Sequence, residues 1–403
     1  MKNLNKYMKK KMKNIINFIL NENNEIIKDN LLSILFDNKL CDDIMGEGYY
    51  GLVIKKNNPN YVKIKINKKK MKLPVVIKNI KKHDDLKFDM IIKNKILYIY
   101  SYNNFIAETL ILMYIRKLWF KTINLPLIIN YMGCDNNLID NITLIKYGLN
   151  EKYIMDVSDR TYNDDIFVKE SQNLTFNSYM NTLNNLIYYI IYNNNYDDNN
   201  FTLPNGIKCN FIDIIDNITL VYLINFYFLR LNNVYIKDMH LDNIFINWFN
   251  EDYYFDNKNI KKSEYIYYKI NDKYYKVKNY GFTIIIGDFG HSIINLKNDL
   301  FIIGNIYEGE FNEIDIETKY EFRNVDLLYK ISNIIPLDIY KKTIIYKILS
   351  EKPYSQYCNV SLTYYLMDYI KKTKKTIELL DYFNEFENKY NKKDILIKVD
   401  KYF

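Results

Sequence analysis

The sequence predicts an α+β fold of two lobes, a small β-rich lobe followed by a larger, mainly helical one, with a cleft between them. Two patterns predict it. Short runs rich in Val and Ile, typical of strands, are spread over residues 41–170. Long apolar runs on a helical period dominate the chain after residue 170. The length of 403 residues, with 48% hydrophobic and 26% charged residues, is enough for two such units with a sizeable core.

The elements are predicted in a definite order. Residues 1–40 form an N-terminal helical extension, residues 41–169 the first lobe and residues 170–403 the second. The first lobe has strand-like runs at YGLVIKK (50–56), YVKIKI (61–66), PVVIKNI (74–80), PLIINYMG (126–133) and DIFVKE (165–170), and a helix at 103–120. The second lobe has helices at 174–192 and 211–231, then a strand within FTIIIGDFG (282–290), a loop and further helix.

Charge and cysteine usage limit the classes of partner and compartment. The net charge of +8 allows a polyanion, a membrane surface or an acidic substrate and requires none of them. Because the chain has no Arg-rich block and no zinc-finger spacing, we expect no nucleic-acid partner. The four cysteines are far apart in the sequence without a C-x-x-C pair, which indicates a reduced, intracellular setting.

Two stretches, one apolar and one basic, have some features of membrane elements. The run ITLVYLINFYFLRL (218–231) is shorter than a membrane span and is interrupted by Asn225 and Arg230, so a buried helix is predicted there. The basic N-terminus lacks the apolar core and small-residue cleavage site of a signal peptide. It is either a frayed basic helix or a segment that rests on anionic lipid.

Three glycines in GEGYYGLV follow the pattern G-x-G-x-x-G-x-V, with Gly46, Gly48, Gly51 and Val53. Glycine lets a turn approach phosphates closely and offers its backbone N–H groups to them. A plain hairpin turn is the alternative reading. The aromatic Tyr50 can cap such a loop over a nucleotide, and the run continues into a strand, which argues against a dinucleotide-binding turn.

Lys78 and Glu108 form the second candidate group. Lys78 follows the β-branched run in PVVIK, where an ammonium group can reach nucleotide phosphates if an acid orients it. No other Glu lies between Glu47 and Glu108, and Glu108 falls in the first turns of the helix predicted at 103–120. An ion pair between that helix and the strand of Lys78 is therefore predicted. A surface Lys and a solvated Glu are the alternatives.

The stretch VYIKDMHLDNIFI (234–246) carries the third group. Asp238 can accept a proton from a substrate hydroxyl, and five residues later Asn243 offers an amide oxygen suited to Mg²⁺. The run IIIGDFG then places Asp288 at a strand end as a charged metal ligand, and Gly290 permits the turn that follows. Each pattern alone is common, whereas the whole ordered set is not.

This ordered set resembles the protein kinase superfamily over residues 41–331. The resemblance implies a bilobal protein-kinase-like fold that uses ATP and Mg²⁺. Gly46, Gly48 and Gly51 would then cover the phosphates, Asp238 would be the catalytic base, and Asn243 and Asp288 would hold the metal. It also implies that IFVKESQN (166–173) is the fifth strand and hinge, with the backbone near Glu170 to Gln172 reading adenine, and that Asp326 braces the catalytic loop from a helix.

The sequence departs from the kinase pattern at several points. The usual H-R-D reads Ile236-Lys237-Asp238, and His240 stands two residues after the base, where a Lys is usual. A neutral imidazole there can donate a hydrogen bond to the γ-phosphate but carries less charge. No A-P-E follows D-F-G, and residues 247–280 form an insert, either a hairpin beside the cleft or a solvated loop. Ser292 and Thr318 are either sites of loop phosphorylation or ordinary polar residues.

The D-x-H-x-x-N spacing and the long insert are similar to serine/threonine kinases of large cytoplasmic DNA viruses, in particular the poxvirus-type morphogenesis kinases. That resemblance implies protein substrates such as viral structural proteins, and a location in host cytoplasm and virions. Two alternatives stay open. Small-molecule kinases of the aminoglycoside or choline type share D-x-H-x-x-N, and a pseudokinase scaffold would bind partners without transferring phosphate.

Overall fold

The structure is a computed structural model, and it describes the chain in segments. These are residues 43–48, 51–55, 61–66, 69–74, 76–80, 89–93, 96–100, 104–133, 141–146, 182–193, 200–236, 238–249, 253–256, 258–296, 301–304, 327–350, 376–383, 385–386 and 394–402. The strands before residue 104 are described by their backbone alone.

The described residues of the first part of the chain form strands and one helix. The strands are β1 Asp43–Gly48, β2 Gly51–Lys55, β3 Tyr61–Ile66, β4 Lys69–Pro74, β5 Val76–Ile80, β6 Asp89–Lys93, β7 Ile96–Tyr100, β8 Leu127–Gly133 and β9 Asn141–Lys146, and the helix is α1 Asn104–Arg116. Five of the strands form one antiparallel sheet in the order β1-β2-β5-β9-β8, and α1 packs against β8 and β9. The hairpin β3-β4 is separate from this sheet.

The second part contains both helices and strands. Its helices are α2 Leu183–Asn193, α3 Phe211–Leu231, α4 (327–334), α5 Leu337–Tyr340, α6 Ile344–Leu349 and α7 Thr376–Leu379. Its strands are β10 Asn200–Thr202, β11 Lys208–Asn210, β12 Val234–Tyr235, β13 Ile244–Trp248, β14 Tyr254–Phe255, β15 Lys258–Asn259, β16 Tyr265–Ile270, β17 Lys273–Lys278, β18 Phe282–Ile286, β19 Ile293–Leu296, β20 Phe301–Gly304, β21 Glu385–Phe386 and β22 Ile395–Lys398.

Helix α3 is the centre of the core. The side chain of Asn210 caps its first turn by accepting a hydrogen bond from the Ile212 N–H at 2.9 Å, and the helix ends at Asn232. Its residues are apolar on almost every side and most of them are buried, as the sequence predicted for this stretch. Among the described residues, α3 is the one helix long and apolar enough to cross a membrane by length and composition, and most of that stretch is buried inside the fold.

Two strand pairs bring distant parts of the chain together around the loops at 236–243 and 287–292. β13 pairs with β18 in antiparallel register, with Ile244 opposite Ile286. β12 pairs with β19, with Tyr235 opposite Ile293. Each loop therefore runs from one strand pair to the other, which holds the two loops side by side.

The strand β19 continues into a larger sheet in the order β12-β19-β20-β7-β6. Within it, β20 pairs in parallel with β7, the strand that precedes α1. Backbone hydrogen bonds therefore join the segment after D-F-G to β7, the strand that leads into the helix of Glu108. Sequence analysis predicted a loop after residue 290, so β19 and β20 are a correction.

The insert at 247–280 forms a hairpin and is not a solvated loop. β16 and β17 pair with each other and with two strands from the end of the chain, β22 and β21. Side chains on one face of the hairpin are buried, among them Tyr268 and Tyr275. The Asn217 amide on α3 fixes the hairpin by bonding both the N–H and the C=O of Lys278 at 3.0 Å.

Sequence analysis predicted further helix at the end of the chain, so β21 and β22 are also differences from expectation.

Candidate active site

The glycine pattern lies on the β1–β2 hairpin. Gly48 is opposite Gly51 where the chain reverses, and Gly46 is opposite Val53. Val53 is in turn opposite Lys78 on β5. Gly46, Val53 and Lys78 therefore stand in one row across three neighbouring strands, which brings the glycine loop and the candidate phosphate-binding Lys to the same sheet. Tyr50 lies outside the described residues.

Glu108 is buried in helix α1, with 1% of its surface exposed. Burial of a carboxylate is costly unless the group has a partner, so the solvated helix-face alternative is wrong. Helix α1 packs against β9, the neighbour of Lys78's strand in the sheet. The ion pair between Glu108 and Lys78 stays a prediction, because the Lys78 side chain lies outside the described side chains.

The loop of residues 238–243 is closed by its own hydrogen bonds. The Asn243 side-chain amide donates to the backbone carbonyl of Asp238 at 3.0 Å, and the Asn243 backbone N–H donates to the carbonyl of His240 at 3.0 Å. Because its amide nitrogen is used in this way, the amide oxygen of Asn243 remains as a ligand atom. The Asp238 side chain is about half exposed, as a group that meets a substrate must be.

Asp288 reaches the same place from the other loop. The N–H of Gly287, just before it, donates to the carbonyl of Asn243 at 2.8 Å. Asp288 has a left-handed backbone with φ of 50°, a conformation that costs most side chains about 1–2 kcal/mol and that Asp and Asn tolerate best. The next residue, Phe289, is fully buried and anchors this turn in the core. The backbone bond of Gly287 to Asn243 thus sets the loop of Asp288 beside the loop of Asp238 and Asn243. That the three side chains share one site stays a prediction.

His240 lies between two carboxylates. Its Nε2 is 3.9 Å from an Asp238 oxygen and its Nδ1 is 3.8 Å from an Asp242 oxygen. The hydroxyl of Thr182, at the start of α2, is 3.4 Å from the other Asp242 oxygen. All three loop side chains are more than a third exposed, so these contacts orient the imidazole but are weak in water.

Two further residues, one buried and one half-buried, stabilise the loop of residues 238–243. Ile236 stands where the H-R-D pattern of kinases has a His, and it is 1% exposed and packs in the core. Lys330 on α4 donates from its ammonium group to the backbone carbonyl of Met239 at 3.2 Å. Sequence analysis missed Lys330. The available signal was its spacing of four residues from Asp326, which would place both on one face of a helix.

Several predicted residues lie outside the described part of the chain, namely Glu170, Gln172, Thr318 and Asp326. The prediction of a fifth strand and hinge at 166–173 also falls there. In the five-stranded sheet the fifth strand in chain order is β9, at Asn141–Lys146. Ser292 is fully buried in this conformation, so it is not an accessible phosphorylation site here.

The chemistry of the donor set fits Mg²⁺ bound together with a polyphosphate. Mg²⁺ in such sites takes one or two protein oxygen ligands and completes its shell with phosphate oxygens and water. Asn243 offers an amide oxygen and Asp288 a carboxylate, and the backbone bond between Gly287 and Asn243 keeps their loops adjacent. The described residues contain no cluster of three or more His, Cys, Asp or Glu side chains that could hold a metal ion.

Comparison with known proteins adds no family to this picture. No protein-family model matches the chain, and no curated protein matches it in sequence.

Proposed function

We propose that this chain is an ATP- and Mg²⁺-dependent protein kinase that transfers the γ-phosphoryl group to Ser or Thr hydroxyls. The observation that supports it most strongly is the pairing of β13 with β18 and of β12 with β19. This pairing sets a loop with a base and an amide ligand beside a loop with a carboxylate ligand. Phosphoryl transfer needs this combination, because the protein's contribution is mainly positioning and charge neutralisation.

Each of these side chains has a role in the proposed reaction. Asp238 accepts the proton of the substrate hydroxyl, and the hydroxyl oxygen forms a bond to the γ-phosphorus. The bond between the γ-phosphorus and the bridging oxygen of the β-phosphate breaks, which releases ADP. Asn243 and Asp288 would hold Mg²⁺, which would supply neutralising charge for the phosphate oxygens. His240 is placed beside Asp238, where its imidazole can donate to the transferred group.

The first part of the chain supports nucleotide binding in the same proposal. The glycine hairpin and the strand of Lys78 are neighbours in one sheet, with Gly46, Val53 and Lys78 in one row, and this supports their proposed role in binding the phosphates. Buried Glu108 on α1 is the acid proposed to orient Lys78. The adenine-reading backbone stays proposed near Glu170 to Gln172, which lie outside the described residues.

Protein substrates are proposed over small molecules because the glycine pattern and D-F-G are both complete. The alternative of a small-molecule kinase rests on His240 in D-x-H-x-x-N, and that of a scaffold on the substitutions at Ile236 and His240.

The test is transfer of labelled phosphate from Mg·ATP to a generic protein substrate. The variant Asp238→Asn is compared with native protein, and Asp272→Asn, an exposed acid in the β16–β17 turn, is the matched control. Loss of a general base lowers the rate about 10²- to 10⁴-fold, so we expect native and Asp272→Asn proteins to transfer and Asp238→Asn not to. ATP binding without transfer to any protein would contradict the proposal and favour the small-molecule kinase or the scaffold.

A further inference from the structure

The loop that carries the proposed base lacks the polar buttress that the kinase pattern would give it. Ile236 fills that position and is buried among apolar groups. An isoleucine can pack but cannot hold a carbonyl or carboxylate in a fixed direction. Polar tethering of the loop must therefore come from elsewhere.

Two successive carbonyls of the loop are each held by a side chain. The Asp238 carbonyl accepts from the Asn243 amide at 3.0 Å, within the loop. The Met239 carbonyl accepts from the Lys330 ammonium at 3.2 Å, from a helix 91 residues further along the chain. The Met239 side chain is itself buried, so this residue is fixed on both sides.

The donor of the second tether stands on a rigid support. Leu327, Leu328 and Ile331 of α4 are each at most 1% exposed, which anchors the helix in the core. Lys330 is half-buried, and a hydrogen bond from an ammonium group is stronger than one from a neutral donor. The positive charge of Lys330 also lies close to Met239, in a loop that carries two acids, Asp238 and Asp242.

We infer that Lys330 is a positioning residue, which fixes the base-bearing loop through the Met239 carbonyl in place of the missing polar buttress. This inference rests on the proposed function, because it concerns the same loop. Lys330 need not touch the nucleotide or the substrate. Its effect should appear in the rate of the chemical step rather than in nucleotide affinity, since a misplaced base affects the transition state more than the ground state.

The experiment compares Lys330→Met, which keeps a similar length without charge or donor, with Lys330→Arg, which keeps both. Lys341→Met, at an exposed lysine after α5, is the matched control. We expect kcat of Lys330→Met to fall about 10- to 100-fold while KM for ATP changes less than about threefold. Lys330→Arg should recover most of the loss, and Lys341→Met should behave as native protein.

A second readout does not need activity. The N–H groups of Asn243 and Gly287 are both hydrogen-bonded within the paired loops and report on their order. Their hydrogen exchange should be about tenfold faster in Lys330→Met. Should that variant not fold, Lys330→Leu, which also lacks the charge and the donor, takes its place under the same criteria.

The outcomes separate this inference from the proposed function. Native protein that transfers phosphate, with Lys330→Met within twofold of its kcat or Lys330→Arg no better than Lys330→Met, overturns the tether. Native protein that transfers nothing contradicts the proposed function, and hydrogen exchange then decides the tether by itself. If native protein transfers nothing, unchanged hydrogen exchange at Asn243 and Gly287 in Lys330→Met overturns the tether.

Discussion

At the scale of single residues, Asp216 shows how burial and hydrogen bonding compete at one carboxyl group. It lies on α3 and accepts a hydrogen bond from the N–H of Ile344, the first residue of α6, at 2.7 Å. Burial raises the pKa of Asp216 to about 6, while this hydrogen bond and the charge of Lys347 act in the opposite direction. The carboxylate therefore joins two helices at an electrostatic cost.

The sign of the pH dependence follows from this raised pKa. The folded protein holds the Asp216 proton more tightly than the unfolded chain, whose ordinary pKa is 3.8. The cost of the ionised form is fully present above about pH 6 and is relieved as the pH falls below it.

Asp216→Asn removes the charge and keeps an oxygen for the Ile344 N–H. We expect the free energy of unfolding to rise by about 1–2 kcal/mol at pH 7.5, and the gain to shrink toward pH 5. Urea unfolding at pH 7.5, 6 and 5 measures it. Asp213→Asn, at an exposed acid on the same helix, should change stability by less than about 0.5 kcal/mol. A loss of stability at pH 7.5 would show that the charge is needed.

At the scale of elements, Asn124 joins four parts of the fold. Its side-chain oxygen accepts from Tyr268 of the insert hairpin at 2.8 Å, and its amide donates to Thr283 of β18 at 2.6 Å. Its backbone carbonyl accepts from Asn225 of α3 at 3.0 Å. Asn124 follows α1 by eight residues and is 1% exposed, so it links the end of the first helix to the strand that leads to Asp288.

Asn124→Ala should be one of the more damaging single substitutions. It leaves the buried Tyr268 hydroxyl and Thr283 hydroxyl without this partner, and each such group costs about 1–3 kcal/mol. We expect a loss of about 2–4 kcal/mol in the free energy of unfolding, measured by urea denaturation. Tyr268→Phe, which removes one hydroxyl together with its contacts to Asn124 and Thr283, should cost about 1–2 kcal/mol. The exposed Asn200→Ala is the control, and an equal effect of both Ala substitutions would refute the role of Asn124.

At the scale of the whole molecule, the insert and the end of the described chain form one sheet. β22 pairs in parallel with β16, with Ile266 opposite Ile395 and Tyr268 opposite Ile397. Ile395 and Ile397 are each 1% exposed, whereas Leu396 between them is half-buried. This alternation of burial along β22 indicates that one face of the strand, with Ile395 and Ile397, packs against the core beside the hairpin.

Ile397→Ala should therefore destabilise the whole molecule and not only its last strand. Truncating a fully buried Ile leaves a cavity and costs about 2–5 kcal/mol. Leu396→Ala, on the other face of the same strand, should cost less than about 1 kcal/mol. Thermal unfolding followed at two probes, tryptophan fluorescence and far-UV circular dichroism, is the measurement. Separate transitions at the two probes, or equal effects of the two substitutions, would show that β22 is not part of one cooperative core.

Local patterns in the sequence were sufficient for some elements and not for others. The helix at 211–231 was predicted with its boundaries from its long run of apolar residues, and the structure adds the capping side chain of Asn210. The strand before D-F-G and the helix Asn104–Arg116 were also predicted from their own residues, although the prediction extended that helix to 103–120. By contrast, β9, β19 and β22 were missed. Each depends in part on a partner strand far away in the chain, although β9 and β19 also pair with a neighbouring strand.

The sequence by itself determined the order of chemical groups along the chain. The glycine pattern, Lys78, Glu108, the Asp238–Asn243 spacing and D-F-G are all readable without coordinates, because each depends on residue type and local spacing. Only the tertiary structure decided which groups meet. The register of β13 with β18 sets Asn243 beside Asp288, and α4 brings Lys330 to the Met239 carbonyl. Such contacts depend on pairing and burial between segments far apart in sequence, which no local pattern specifies.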